Sequence, residues 1–251
     1  MSKKNQDRRS EIQKILIRQE SVKVEELAEA LHVTPETIRT DLNYLEQKGF
    51  LFRKHGGAAL RTGNTEMPMD IRMQENTDVK KAISEAAFEL IKDDMVLYFG
   101  ASSTPLYLGR MLVLRKNLTV VTTSLDMIET LASGPHKIIL LGGYYHRIGR
   151  SLSGESAREM VSEIHFDISF SGMNGCRGAD GPCTLATDEI PIDKEAIRNS
   201  EMNVLMSDSS KFDMTGPFQY AQFRDFDILI TDSHLKQADR ERVKIRDIRE
   251  V

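Results

Sequence analysis

Ser21 to Gly57, SVKVEELAEALHVTPETIRTDLNYLEQKGFLFRKHGG, carries more structural information than any other part of the chain. It reads as two short helices joined by a tight turn, followed by a cation-bearing hairpin that ends in paired glycines. That succession is the layout of a winged helix-turn-helix, which lays its second helix in the major groove of DNA. The turn falls at His32-Val33. Thr34 is a good N-cap, and Pro35 is pre-set for the first helical position, where no N–H is required. From there Ile38, Leu42 and Leu45 recur at helical spacing as a buried stripe. The opposite face carries Glu36, Thr40, Asn43 and Gln47, flanked by Thr37, Arg39 and Tyr44. Small hydroxyls, an amide and a guanidinium at the start of such a helix suit base edges and phosphates. A helix that only packs has no use for that mixture. Gly49 is placed to stop the helix in a left-handed turn. Phe50-Leu51-Phe52 then gives a short strand, and Arg53-Lys54-His55 precedes Gly56-Gly57, which permit a tight reversal.

Charge divides the chain in the same place. Residues 1–62 hold twelve Lys/Arg against nine Asp/Glu, a net of +3, which leaves −7 for the remainder of a chain whose total is −4. A basic head on an acidic body fits a protein whose head alone touches nucleic acid. The excess is small, so two or more heads are expected to act together. A length of 251 residues accommodates two domains. We place a winged helix-turn-helix at 1–62, a linker at 63–77 where ALRTGNTEMPMD lacks periodicity, and an α/β domain at 78–251. The start, MSKKNQDRR, is polar, and no run approaches the roughly 18 to 20 apolar residues of a membrane span. A cytoplasmic protein with no membrane association is expected. Cys176 and Cys183, within CRGADGPC, do not form a zinc pattern. Reduced thiols are the default, with a Cys176–Cys183 disulfide the alternative. No metal or cofactor is indicated.

Beyond the linker, short apolar runs alternate with amphipathic segments. Candidate strands are Met95–Phe99, Leu118–Thr122, Lys137–Leu141, Phe166–Phe170, Val204–Ser207 and Ile228–Thr231. Candidate helices are Val79–Ile91, Pro105–Leu114, Ser124–Leu131, Ser156–Ile164 and Ile192–Asn199. Strands that are apolar nearly throughout and alternate with helices imply a mainly parallel sheet covered on both faces. Such sheets bind ligands in the loops at the carboxyl ends of their strands. After the first strand, Ser102, Ser103 and Thr104 put three hydroxyls at a helix start, either as a phosphate cradle or as an ordinary cap. After the third come Gly142 and Gly143, which let a backbone approach a ligand. After the fourth come Asn174 and Gly175 in a glycine-rich loop. After Val204–Ser207, Asp208 and Lys211 offer a carboxylate for hydroxyls and an ammonium for a phosphate, or else a local ion pair.

Both halves together resemble the DeoR family of bacterial transcriptional regulators along nearly the full length. The head matches in VEELAEALHVTPETIRTDL and LEQKGFLFRKHGGA; the body matches, in order, in the SST loop, VVTTS, LLGG, SGMNG, and DSSKF followed by LITD. The resemblance implies a sensor domain similar to ribose-5-phosphate isomerase that binds a phosphorylated sugar or related metabolite. It also implies a repressor of a carbohydrate-use operon, acting as a homodimer or homotetramer on double-stranded operator DNA and released by that effector. The implied DNA-binding set is Thr34, Thr37, Arg39, Thr40 and Asn43, with Arg53, Lys54 and His55 on the wing. The implied effector set is Ser102, Ser103, Thr104, Gly142, Gly143, Asn174, Gly175, Asp208 and Lys211. Two departures from the family pattern stand out. Thr40 occupies the place of a second arginine, and Phe99 and Ala101 occupy the places of an aspartate and a glycine in the first sensor loop. The alternative from another class is an isomerase-like enzyme with an accessory head, for which Asp180, Asp188 or Glu189 would be the base.

Overall fold

The computed structural model describes residues 3–19, 21–47, 50–60 and 66–251. Gly49 lies outside them, and with it the helix stop assigned to that glycine. The chain divides into two compact units, Met1–Ile71 and Arg72–Val251.

The first unit runs α1 (Lys3–Gln19), β1 (Ser21–Lys23), α2 (Val24–Ala30), α3 (Pro35–Gln47), β2 (Leu51–Lys54) and β3 (Gly57–Leu60), and the division between the units falls inside the single turn α4 (Met69–Arg72). The helix pair is α2 and α3, and His32 takes a left-handed φ of 51° in the turn between them. The wing is the antiparallel hairpin β2–β3, with Gly56 at a φ of 74° in its turn. β1 joins it on the β3 side, in the order β1-β3-β2. Arg53 and Lys54 thus lie within a strand, and only His55 of the cationic trio reaches the turn.

Ile38, Leu42 and Leu45 are buried, as their spacing requires, among Leu27, Phe50 and Leu51. Ile12 and Leu16 of α1 complete this core; the polarity of that helix had concealed it. Each such side chain contributes about 1.5–3 kcal/mol relative to exposure. Part of the stretch read as a linker is ordered structure. Ile71 is buried in this same core and Met67 packs against it, because the apolar side chains of MPMDIRM outweigh the turn-forming residues before them.

The second unit contains α5 (Thr77–Phe88), β4 (Val96–Phe99), α6 (Ser103–Gly109), β5 (Thr119–Thr122), α7 (Leu125–Leu131), β6 (Lys137–Leu140), β7 (Tyr144–His146), β8 (Ser151–Ser153), α8 (Glu155–Ser162), β9 (Phe166–Ser171), β10 (Cys183–Thr184), α9 (Ile190–Arg198), β11 (Ser200–Met206), β12 (Phe218–Gln219), β13 (Ile228–Thr231), α10 (Gln237–Arg242) and β14 (Asp247–Glu250). Seven strands form one sheet in the order β14-β13-β11-β9-β4-β5-β6, with every neighbouring pair parallel. All six expected strands are in it. β14 (DIRE) was too polar to be recognised. β7–β8 is a small antiparallel hairpin and β10–β12 a short antiparallel pair, both outside the sheet.

Alternation along β4 sends Tyr98 and Phe99 to opposite faces. Phe99 stacks on Phe170 at 5.1 Å, whereas Tyr98 meets Phe166 at 5.6 Å in a core shared with Ala157 and Val161 of α8 and Ile192 and Ala196 of α9. Because the sheet is parallel throughout, the loops after β4, β6, β9 and β11 all leave from one edge. Among the described residues, no helix is long and apolar enough to cross a membrane.

Candidate functional site

In the first unit, α3 turns a polar face outward. Thr34 caps α3 as expected: its Oγ1 accepts Thr37 N–H at 3.3 Å and lies 2.9 Å from the Thr37 hydroxyl. Arg39, Thr40 and Asn43 are exposed, with Arg39 paired to Glu36 at 3.2 Å and Thr40 Oγ1 donating to Glu36 O at 3.0 Å. These are short-range contacts at the surface, worth a few tenths of a kcal/mol and readily exchanged for others.

Arg53 differs from the expectation of a free wing cation. Its Nη1 donates to Asn43 Oδ1 at 2.5 Å, its Nε to Gly57 O at 3.2 Å, and its N–H to Glu46 Oε1 at 2.8 Å. Arg53 and Asn43 therefore form one brace between β2 and α3 rather than two independent groups. Lys54 and His55 remain exposed, with Lys54 Nζ 5.3 Å above the Phe52 ring.

Asp41 was absent from the sequence reading. It is fully buried on α3 and accepts Arg8 Nε at 2.5 Å and Arg9 Nε at 2.7 Å. Arg9 also stands 3.8 Å over the Tyr44 ring. The arginines lie 33 and 32 residues away in the chain, so no local pattern announces the pairing.

In the second unit the loop after β4 presents Ser102, partly exposed, with Ser103 and Thr104 behind it. Ser102 occupies the N-cap of α6 without a side-chain cap bond, so the capping alternative is not realised. Across the edge, Asp208 is buried at the end of β11, accepting Asn76 Nδ2 at 3.1 Å and the Ser210 hydroxyl. Asn76 reaches it from a left-handed conformation (φ 48°) that asparagine tolerates. No ion pair joins Asp208 to Lys211 among the described residues; Lys211 Nζ instead rests 3.5 Å from Met214 Sδ.

Lys80, also missing from the sequence reading, is 2% exposed on α5, and its ammonium donates to Arg72 O. Desolvation, then the Lys211 charge, lowers its pKa to about 8, while Asp208 pulls the other way. Asn76 ties Asp208 to Lys80, donating to the carboxylate from its side chain and accepting Lys80 N–H at its carbonyl oxygen at 2.9 Å. A lysine three residues into an amphipathic helix carries no sign of burial; only the α5–sheet packing reveals it.

The other expected ligand residues separate into two kinds. Gly142 faces open space, but Gly143 (φ 150°) is a packing glycine: a Cβ there would lie 2.1 Å from Ser153 O. Gly175 is likewise a packing residue, since a Cβ would stand 2.4 Å from Met214 O. Asn174 uses its Oδ1 to hold Leu185 N–H at 3.1 Å and the Thr184 hydroxyl at 3.3 Å, stapling its own loop.

Comparison with known proteins bears directly on these two units. Residues 8–63 match the DeoR-like helix-turn-helix domain, and residues 75–233 match the DeoR C terminal sensor domain. The chain belongs to the DeoR family of transcriptional regulators. It is 34% identical to the uncharacterized HTH-type transcriptional regulator FruR of Bacillus subtilis over 84% of this chain and 85% of that one. It is 29% identical to the glycerol-3-phosphate regulon repressor of Escherichia coli over 92% of each. A solved ribose 5-phosphate isomerase A from Methanocaldococcus jannaschii aligns over 55% of each chain at 20% identity with a TM-score of 0.41, a likeness from which no chemistry follows.

Within this DeoR-type sensor the two cysteines are free, buried thiols. Burial pushes Cys176 up to about 11 and raises Cys183, so neither presents a thiolate for disulfide exchange. Among the described residues, no three His, Cys, Asp or Glu side chains are grouped to hold a metal ion. Of the carboxylates considered as isomerase bases, Asp180 and Asp188 are exposed and Glu189 contacts the Ser151 hydroxyl.

Proposed function

We propose that this DeoR-family regulator is a repressor that binds operator DNA through α3 and the wing, and that a phosphorylated sugar or related metabolite releases it. The observation that carries the DNA half is the division of α3 into a buried apolar side and an exposed side bearing Arg39, Thr40 and Asn43. Arg39 reads a base edge or grips a phosphate, Lys54 and His55 meet the backbone, and the Arg53–Asn43 brace fixes the angle between wing and helix. A head with so small a positive excess acts in pairs, so the proposal includes a homodimer or homotetramer.

The effector half is supported by the Ser102, Ser103 and Thr104 loop facing an edge that also bears Lys80, Lys211 and Asp208. A phosphate relieves the repulsion between the two ammonium groups, and Asp208 orients the pocket through Asn76 and Ser210. The regulatory names of the Bacillus subtilis and Escherichia coli relatives support a control role, and we assign the chain no catalytic step.

Arg39→Ala is expected to weaken specific operator binding by about 1–3 kcal/mol. Lys54→Ala is expected to weaken specific and random DNA alike and to lower the salt slope by about one ion. Anisotropy titrations at several salt concentrations, on an operator selected from a random library, measure both. An unchanged salt slope for Lys54→Ala would remove the wing from the interface.

A further inference from the structure

Asp193, in the first turn of α9, takes no part in the site described so far. Tyr98 OH donates to its Oδ1 at 2.8 Å from the fully buried end of β4. That Oδ1 stands 3.5 Å from where a Cβ on Gly100 would be, and the same point is 3.6 Å from Phe170 O. The carboxylate therefore sits at the carboxyl ends of β4 and β9, directly against the loop that carries Ser102 to Thr104. The loops after these strands are in contact, since a Cβ on Gly172 would lie 2.7 Å from Ser102 Cβ.

A carboxylate offers about four acceptor positions, and among the described residues Tyr98 is its one hydrogen-bond donor. No cation pairs with it among those residues. Asp193 is a half-buried residue. Burial nonetheless pushes it up to about 6, against the Tyr98 hydrogen bond that lowers it. A packing carboxylate in an apolar core is ordinarily saturated with donors, because each missing one costs free energy. Asp193 is held by Tyr98 at one oxygen, and its remaining acceptor positions take no donor from the described residues. The first sensor loop meanwhile has no acid of its own: its Phe99 is fully buried and stacked on Phe170.

We propose that Asp193, anchored by Tyr98, is the hydroxyl-accepting carboxylate of the effector site and selects polyhydroxylated phosphates over phosphates without hydroxyls. The acid missing from the end of β4 is thus supplied from α9, on the opposite face of the sheet from Phe99. This rests on the phosphate reading of Ser102 to Thr104, Lys80 and Lys211.

The test uses calorimetry on the full chain. Three- to six-carbon polyol and sugar phosphates, glycerol 3-phosphate among them, are each paired with the alkyl phosphate of the same chain length. The unaltered protein is expected to prefer the hydroxylated member of at least one pair by about tenfold or more, the worth of a charged hydrogen bond. Asp193→Asn keeps an acceptor for Tyr98 but loses the charge. It is expected to cut the preference to about threefold or less while leaving the alkyl phosphate affinity unchanged. Tyr98→Phe, which releases the anchor while preserving the ring, is expected to lower the preference as well, and decides the matter should the asparagine variant fail to fold. A preference that survives the altered carboxylate overturns the proposal and spares the phosphate reading, as does an equal loss for both members of each pair. If the unaltered chain binds neither class, both fall; if it binds both classes without preference, only this proposal does.

Discussion

Asp41→Ala is expected to unfold the DNA-binding unit while leaving the sensor unit folded. The carboxylate is fully buried and accepts two arginines, Arg8 and Arg9, whose side chains are each 13% exposed. Removing it strands two guanidinium groups in a largely desolvated place. Breaking a buried pair on one side costs about 3–5 kcal/mol, and a unit of this size has roughly that much to lose. Partial exposure of the arginines argues for the lower end. Hydrogen exchange on the full chain measures the effect region by region: protection is expected to collapse through α1, α2 and α3 and to persist in β4, β9 and β11. Undiminished protection in α3 would show that α1 does not hold the recognition helix. Replacing all three residues together by apolar ones of similar size is expected to recover much of the loss, because the ions are then absent rather than unpaired.

Lys80→Met is expected to stabilise the ligand-free protein and to weaken its phosphate binding. The native pKa of about 8 lies below the ordinary 10.5. Between those values the unfolded chain binds more protons than the native state, so this group makes stability rise with pH from about 8 to 10.5. Below pH 8 its burial carries the full penalty, about 3 kcal/mol. Methionine of similar length removes that penalty and forfeits the bond to Arg72 O, for a net gain of about 1–2 kcal/mol at pH 7. The same change deletes a charged donor from the proposed anion site, which is expected to lower phosphate affinity about tenfold or more. Urea unfolding at pH 7 and calorimetry with inorganic phosphate provide the two readings. A destabilised variant that still binds phosphate would make Lys80 a structural lysine.

These two residues mark where the sequence stopped being readable. The helix pair, the Thr34 cap, the stripe of Ile38, Leu42 and Leu45, and the six apolar strands were all legible because local periodicity and capping chemistry produce them. The glycines were legible only as exceptional backbone: Gly142 remains open, but Gly143 and Gly175 serve packing. Asp41 and Lys80 are buried charged groups and Asp193 a partly buried one, and their partners lie outside their own helices. Within their own helices they are ordinary polar residues, and only tertiary packing turns them inward. The same holds for Arg53, whose bond to Asn43 depends on how the wing folds back on α3. β14 and α1 escaped notice because both are too polar for hydrophobic patterning to register.

Occupancy of the sensor unit is expected to change operator affinity. The most direct measurement is a titration of phosphorylated sugars and polyols into the full chain bound to a fluorescent operator, with saturation of the sensor unit verified separately by calorimetry. A coupling of about 1–3 kcal/mol corresponds to a 5- to 150-fold loss of operator affinity, and that loss is expected for at least one compound. Operator affinity that stays constant while a phosphate saturates the sensor unit would rule out release by the effector.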